Sequence, residues 1–198
     1  MREGNDKRTD MTKEQIISAV EAAVRERGCF IVEVTVSAAN DVEIAIEKEE
    51  GIVDWEDCAA IDAVVHAAFD QDVEDYSLTV SSAGLDRPFR VYRQYQKAVG
   101  SKVDVKFKGG RRLVATLMDV KRGNSVNGEN GVNGENGVSE DNSIPEENTQ
   151  TDTPVKEITL RYTALETVEG KKKKEKVEHE ETYPLAEINS VTPYIDFK

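Results

Sequence analysis

The residue types of a nucleophilic triad occur in this chain, with Ser81 or Ser82, His66 and Asp86 as nucleophile, base and orienting acid. Neither serine lies in the Gly-x-Ser-x-Gly pattern that exposes such a nucleophile on a strand-to-helix turn. His66 stands alone among apolar residues of a predicted helix, where a histidine more often packs than catalyses. Phosphate-loop and dinucleotide-binding patterns are also absent from the sequence. We therefore predict no catalytic residues and a protein that is not an enzyme.

Metal and redox chemistry are equally weakly indicated. Cys29, Cys58, His66 and His179 have no spacing that resembles a zinc site. The two cysteines have small or apolar neighbours, and two thiols without a secretory signal do not make a disulfide framework. We therefore expect buried thiols, no metal and no cofactor.

Charge is strongly segregated along the chain, whose formal net charge is −13. Residues 1–90 carry 21 acids against 9 bases, a net charge of −12. Residues 92–122 carry 9 bases against 2 acids, a net charge of +7. This contrast is more informative about binding partners than the total charge.

The basic stretch contains the candidate binding residues. Its lysines alternate with apolar residues along one predicted strand, so their side chains should share the solvent face, with Asp104 as the only acid among them. The arginines of the following turn would extend that face. The predicted phosphate-binding patch consists of Lys102, Lys106, Lys108, Arg111 and Arg112. An ordinary solvated face is the alternative interpretation, and no aromatic stacking pair typical of single-strand RNA readers is evident.

The elements that position these residues fall into two groups. Residues 1–10 are predicted to be a disordered tail, and residues 11–88 an acidic α/β domain. The predicted elements of this domain are a helix at 12–28, strands at 30–37 and 42–47, a helix at 54–70 and a strand at 76–82. That order indicates a two-layer domain with one right-handed crossover connection.

Local signals define several of these elements. Thr12 and Gln15 have the spacing of a capping box, and Asp54 is a plausible N-cap for the second helix. Alternation in the first strand predicts a core face that is formed by Phe30, Val32, Val34 and Val36.

Residues 89–198 are predicted to form a small β-barrel of the SH3 or Sm type, which gives an α+β fold class overall. A short helix at 91–99 precedes five predicted strands, at 102–107, 112–120, 157–162, 176–183 and 189–195. Pro193 should place the last strand at an edge. A repeat-containing insert at 123–153 is predicted to be disordered, and the basic run at 171–174 to be a hairpin tip.

The junction between the two groups has a distinctive sequence. Gly84 permits a positive φ where the third strand ends, and Pro88 restricts both itself and Arg87. Asp86 and Arg87 then lie on a stiffened corner, where they either brace the two domains as a pair or contact a partner. The stretch Val-Ser-Ser-Ala-Gly-Leu-Asp-Arg-Pro-Phe at 80–89 resembles the junction of the bacterial ribosome maturation factor RimP family. Stretches at 55–60 and 183–188 are also similar to that family.

This resemblance implies an α/β N-terminal domain and an Sm-like C-terminal barrel. It also implies a role in assembling the small ribosomal subunit, with binding to the free subunit near small-subunit ribosomal protein twelve and neighbouring rRNA. Ala83 departs from the proline that the family usually has, and the insert at 123–153 is longer than the family needs.

Other expectations concern partners and location. Acids of the N-terminal domain could complement a basic ribosomal protein or could merely maintain solubility. These acids are Glu43, Glu47, Glu49, Glu50, Asp54, Glu56 and Asp57. A different class of function would be a peptide-binding adaptor that uses an aromatic groove of an SH3-like barrel. For such a groove the barrel offers Phe107, Tyr162, Tyr183 and Tyr194 and no tryptophan, so the groove would be weak. We further expect a cytoplasmic monomer with no membrane association, since no long apolar run or secretory signal is present.

Overall fold

The structure is a computed structural model that describes residues 11–71, 73, 75–123, 154–167 and 174–196. The chain divides into two compact units, Met1–Arg90 and Val91–Lys198, which are called unit 1 and unit 2 below. Three predictions fall wholly or largely outside the described residues. They are the disordered tail at 1–10, the insert over 124–153 and the hairpin tip at 171–173.

Unit 1 contains two helices and a three-stranded sheet. In chain order the elements are α1 (Lys13–Glu26), β1 (Cys29–Val36), β2 (Asp41–Lys48), α2 (Trp55–Ala68) and β3 (Ser77–Ser82). The sheet order is β1-β2-β3, with β1 antiparallel and β3 parallel to β2. Because parallel neighbours need a crossover, α2 connects β2 to β3. The predicted order of helix, strand, strand, helix, strand is confirmed.

Reciprocal side-chain bonds begin both helices. In α1, Thr12 N donates to Gln15 Oε1 over 2.9 Å, and Gln15 N donates to Thr12 Oγ1 over 3.3 Å. In α2, Asp54 and Asp57 exchange the same two bonds, each 3.0 Å long. Each pair satisfies two backbone N–H groups that have no partner within the helix. The predicted caps at Thr12 and Asp54 are confirmed.

The predicted core face of β1 is wrong in its first half. A register shift between Ile31 and Glu33 places a bulge in the pairing with β2. Since a bulge inserts one extra residue, the inward parity changes there. Ile31 therefore joins Val34 in the main core, whereas Phe30 and Val32 are buried outside that cluster.

Unit 2 is dominated by a five-stranded antiparallel sheet. Its elements are α3 (Tyr92–Lys97), β4 (Lys102–Phe107), β5 (Arg112–Arg122), β6 (Val155–Thr167), β7 (Lys174–Pro184), a 3₁₀ turn (Leu185–Glu187) and β8 (Ile188–Pro193). The strand order is β7-β6-β5-β4-β8. One face buries an apolar core. Its members include Val103, Val105, Leu117, Ile158, Leu160 and Val191.

The α+β class is confirmed, but a closed barrel is not. Strands β7 and β8 lie at opposite ends of the order, and no pairing joins them within the described ranges. The expected edge position of the strand that contains Pro193 is confirmed, since β8 pairs only with β4.

Candidate functional site

The outer face of β4 carries part of the predicted basic patch. Lys102 and Lys106 are exposed, whereas Val103 and Val105 between them point into the core. The pairing with β5 sets Lys106 opposite Arg112, which places Arg112 on the same face. Three of the five predicted residues therefore share one surface.

Asp104 changes the electrostatics of that surface. It lies between the two lysines and is only 7% exposed. Arg112 Nε donates to both of its carboxylate oxygens, over 2.8 and 2.9 Å, and Arg112 Nη2 donates to Oδ2 as well. The Arg112 guanidinium lowers the pKa of Asp104, against an opposing effect of burial. Arg112 is thus already neutralised, whereas among the described residues no ion pair forms to Lys102 or Lys106, which provide the remaining positive charge of this face.

Arg111 does not extend this face, contrary to the prediction. Its guanidinium carbon lies 5.1 Å from the centroid of the Phe107 ring and 5.8 Å from the centroids of both the Tyr162 and Tyr183 rings. Phe107 has the opposite parity to Lys106, so Arg111 belongs to the other side of the sheet. Hydrogen bonding to Tyr162 raises the pKa of Arg111, which favours its charged form.

The rings beneath Arg111 are three of the four aromatic residues that the sequence offers for a peptide groove, but their packing against one another was not predicted. Phe107 and Tyr183 meet edge to face with centroids 4.9 Å apart, and Tyr162 stacks on His179 at 5.4 Å. Tyr183 Oη donates to Glu181, and that bond lowers the pKa of this glutamate. The register of β6 and β7 pairs Ile158 with Tyr183 and Tyr162 with His179. The sequence does not give this register, and without it the packing of these rings could not be predicted.

Lys108 lies in the turn between β4 and β5. Its backbone N donates to Glu187 O over 2.9 Å, and the residue is exposed. Lys108 therefore sits at the end of the sheet, next to the 3₁₀ turn, rather than on the strand face.

One of the acids expected to face a partner is buried in unit 1. Asp57 is 1% exposed and accepts from Lys48 Nζ over 2.6 Å and from Arg27 Nε over 3.0 Å. The bond from Lys48, aided by Asp54 N and Arg27, lowers the pKa of Asp57 to about 2 despite its burial. Asp57 is consequently a structural anchor and is not available to a partner.

The junction residues lie at the end of the sheet of unit 1. Gly84 has φ +82°, as predicted, and a Cβ there would lie 3.1 Å from Asp86 Oδ1. Arg87 lines a shallow groove on the open face of the sheet together with Glu33 and Glu43. Pro88 is exposed. Among the described residues, no ion pair joins Asp86 to Arg87.

The residues of the hypothetical triad are not assembled around His66. A hydrogen bond of 2.8 Å joins His66 Nδ1 to Tyr76 Oη, and His66 Nε2 lies 3.5 Å from Asp62 Oδ2. Cys29 is buried and Cys58 half-buried, and burial raises the pKa of both thiols.

The described part of the chain contains neither a metal-binding cluster nor a helix that could span a membrane. No group of three or more His, Cys, Asp or Glu residues there could hold a metal ion. None of the helices formed by these residues has the length and apolar character needed to cross a membrane.

Comparison with known proteins identifies unit 1. A family model described as the RimP N-terminal domain matches residues 19–86. A ribosome maturation factor RimP of Porphyromonas gingivalis (strain ATCC BAA-308 / W83) is 29% identical over 108 residues, which cover 54% of this chain and 70% of the relative. Another, of Christiangramia forsetii, is 32% identical over 97 residues, which cover 48% of this chain and 63% of the relative.

The domain match covers the end of α1 and all of β1, β2, α2 and β3, together with Gly84 and Asp86 of the junction. The resemblance that the sequence shows at residues 80–89 is therefore confirmed by independent comparison over a longer stretch of chain. Over residues 19–86 the chain is similar to the RimP N-terminal domain, and the curated relatives that it matches are ribosome maturation factors of that name.

Proposed function

We propose that this protein is a ribosome maturation factor, which binds the free small ribosomal subunit and assists its assembly without catalysing a reaction. The match to the RimP N-terminal domain carries this proposal, together with relatives named ribosome maturation factor RimP. The proposed partners are rRNA and, on the same subunit, small-subunit ribosomal protein twelve.

The surfaces of the two units support complementary roles. Lys102 and Lys106 of unit 2 offer uncompensated positive charge on one sheet face, and Lys108 adds a third cation at its end. Phosphate groups of an RNA backbone are the natural partners of such a surface. Unit 1 has the opposite charge, which suits a basic ribosomal protein and would raise the rate and specificity of association.

The Arg111 side of unit 2 offers a different type of RNA contact. A guanidinium that already rests on three rings is held in place before a partner arrives, so less side-chain entropy is lost on binding. Because Arg111 covers these rings, they do not form the open aromatic groove that a proline-rich peptide would require. We accordingly favour the assembly factor over the SH3-like adaptor, and propose that unit 2 is a variant of the Sm-like barrel.

Gradient sedimentation of a cell lysate tests the proposal directly. The protein should migrate with free small subunits and should be absent from translating ribosomes. Purified small subunits should also retain it in a manner that weakens as salt is raised, because exposed charge contacts are screened within about 8 Å at physiological ionic strength. Migration at the top of the gradient under low salt would contradict the proposal.

Charge reversal identifies the surface that is used. Lys102→Glu combined with Lys106→Glu and Lys108→Glu should weaken retention by the subunits and reduce its salt dependence. Arg112 is left unchanged, because a glutamate there would oppose the buried Asp104. The matched control also reverses three lysines, Lys13, Lys156 and Lys176, which are exposed on α1, β6 and β7. Equal loss in both variants would show that only total charge matters.

A further inference from the structure

Two large apolar side chains project into solvent where α2 begins. Ile52 is 85% exposed and Trp55 is 81% exposed, the two highest values among the large hydrophobic residues that the structure describes. Tryptophan is usually well buried, and exposed apolar groups that lie close together in the chain mark interaction surfaces more often than isolated ones do. This pair therefore requires an explanation.

The start of α2 does not need either side chain. Asp54 and Asp57 form the capping box, and the residues on either side of it that could form a hydrophobic staple are Val53 and Cys58. Both Val53 and Cys58 pack against the core of unit 1. The apolar contacts that fix the entry to the helix are thus made without Ile52 or Trp55.

The surroundings of the pair are acidic. Residues 49–62 contain six acids and no base. The nearest cations, Lys48 and Arg27, are directed at the buried Asp57 and also lie within 3.4 Å of Asp54 and 3.9 Å of Glu56, respectively. Even with both cations included, acids exceed bases by four around the two exposed apolar groups.

We propose that Ile52 and Trp55, with the carboxylates around them, form a docking site for a lysine- and arginine-rich polypeptide segment. The indole ring offers a face for a guanidinium, and Ile52 offers a contact for an apolar side chain of the same segment. The carboxylates complement the remaining positive charge. The inference rests on the proposed function to the extent that the segment belongs to a protein of the small subunit.

Charge distinguishes this occupant from the alternatives. An RNA backbone would bring phosphates toward a region in which acids exceed bases by four, which is unfavourable. A second copy of the chain would bring a unit of equally negative charge toward the same surface. A basic polypeptide alone has both the opposite charge and apolar side chains for the exposed pair.

Trp55 is the only tryptophan in the chain, so its fluorescence reports on this site alone. The full-length chain is titrated with a synthetic peptide of arginine, lysine and regularly spaced leucine. We expect a saturable blue shift of the emission, which weakens as salt is raised. A peptide with glutamate in place of the basic residues should have no effect. Calorimetry measures the binding of the basic peptide independently. If the peptide saturates the protein while the Trp55 emission stays unchanged, the proposal is overturned.

Calorimetry on variants separates docking from general attraction between charges. Trp55→Ala with Ile52→Ser should weaken binding of the basic peptide by roughly tenfold or more, as loss of a central aromatic anchor does. The control is Leu165→Ser, which removes an exposed apolar group from unit 2. Both variants should retain the wild-type circular dichroism spectrum because the replaced side chains are exposed. Equal affinity for the peptide in the wild type and in the Trp55 variant would refute the site.

Sedimentation with small subunits distinguishes this inference from the proposed function. If the wild type binds subunits and the Trp55 and Ile52 variant binds more weakly, the site is used on the subunit. If both bind equally, the inference fails while the proposed function stands. If the wild type does not bind subunits but binding of the basic peptide depends on Trp55, the docking site stands and the proposed function fails. Self-association that the Trp55 variant abolishes would instead assign the surface to a dimer and overturn the inference.

Discussion

Replacement of the buried carboxylate in unit 1 by an amide tests how far one ion network stabilises the fold. Asp57 accepts bonds from Lys48 Nζ, Arg27 Nε and the backbone N of Asp54. The isosteric change Asp57→Asn removes the charge and turns an N–H₂ group toward at least one of these donors. The variant therefore loses at least one favourable contact. It also loses the negative charge that attracts Lys48 and Arg27.

The pKa of Asp57 allows the size of the loss to be worked out. Its value of about 2, against an ordinary 3.8, indicates that the folded state favours the ionised form. At 1.36 kcal/mol per pKa unit, the difference corresponds to about 2 kcal/mol. The bond from Asp54 N is one of the causes of this shift, so its loss is included in that figure. Lys48 and Arg27 are partly exposed and can regain water, so we expect a loss of no more than about 2 kcal/mol at neutral pH.

The same reasoning predicts a pH dependence of defined sign. Because the folded-state pKa is depressed, the stabilisation is fully present above the unfolded-state pKa of about 4 and is lost as pH falls toward about 2. The difference in unfolding free energy between the wild type and Asp57→Asn should therefore shrink over that interval. Other carboxylates titrate in both proteins, so their contributions cancel in the difference.

Urea unfolding, followed by circular dichroism at the helix band, measures this difference. The signal reports mainly on unit 1, whose two helices have 14 residues each, against 6 in α3. Glu56→Gln is the matched control, since it removes a neighbouring carboxylate whose side chain is 78% exposed. Parallel stability curves for the wild type and Asp57→Asn down to about pH 2 would refute the reasoning, as would equal stabilities at neutral pH.

Three further substitutions test other parts of the structure. Asp104→Asn should destabilise unit 2 by about 2 kcal/mol in urea unfolding that is followed at the β-sheet band, because Arg112 loses a charged acceptor. The same variant should bind small subunits more strongly and with a steeper salt dependence. Gly84→Ala should lower the unfolding free energy by about 1–2 kcal/mol in urea unfolding, because φ is +82° and the new Cβ would lie 3.1 Å from a carboxylate oxygen. An unchanged unfolding free energy would contradict this. Tyr76→Phe should cost about 1 kcal/mol through its lost bonds to His66 and to Phe69 O, whereas Tyr194→Phe should cost much less because its ring is 37% exposed.

The elements that local signals define could be predicted from the sequence. Strand β4 forms over Lys102–Phe107, as the alternation of charged and apolar residues predicts, and the capping residues Thr12 and Asp54 lie where their spacing indicates. Each of these features depends on residues a few positions apart. Over such short distances in the sequence, residue propensity, the alternation of a strand and capping geometry are sufficient to predict the structure.

Features that depend on strand register could not be predicted. The bulge after Ile31 changes which residues of β1 enter the core, and alternation gives no sign of where it occurs. The ring cluster requires Tyr162 and Tyr183 to be placed by the pairing of β6 with β7, and Phe107 comes from a third strand. Sequence patterns identify faces of single strands but not the neighbours that those faces meet.

Charge counts along the sequence overstate what a partner of either unit would encounter, because both signs are removed together by buried pairs. Asp104 neutralises Arg112, so the basic face depends on Lys102 and Lys106. Asp57 engages Lys48 and Arg27, so two of the few bases in unit 1 are already paired, although both stay partly exposed. The net charge of the basic surface is thus unchanged, because one acid and one base are paired there, whereas pairing of one acid with two bases leaves the remaining charge of unit 1 slightly more negative. Variants that alter these buried pairs should therefore change binding through the charge they release, and not only through stability.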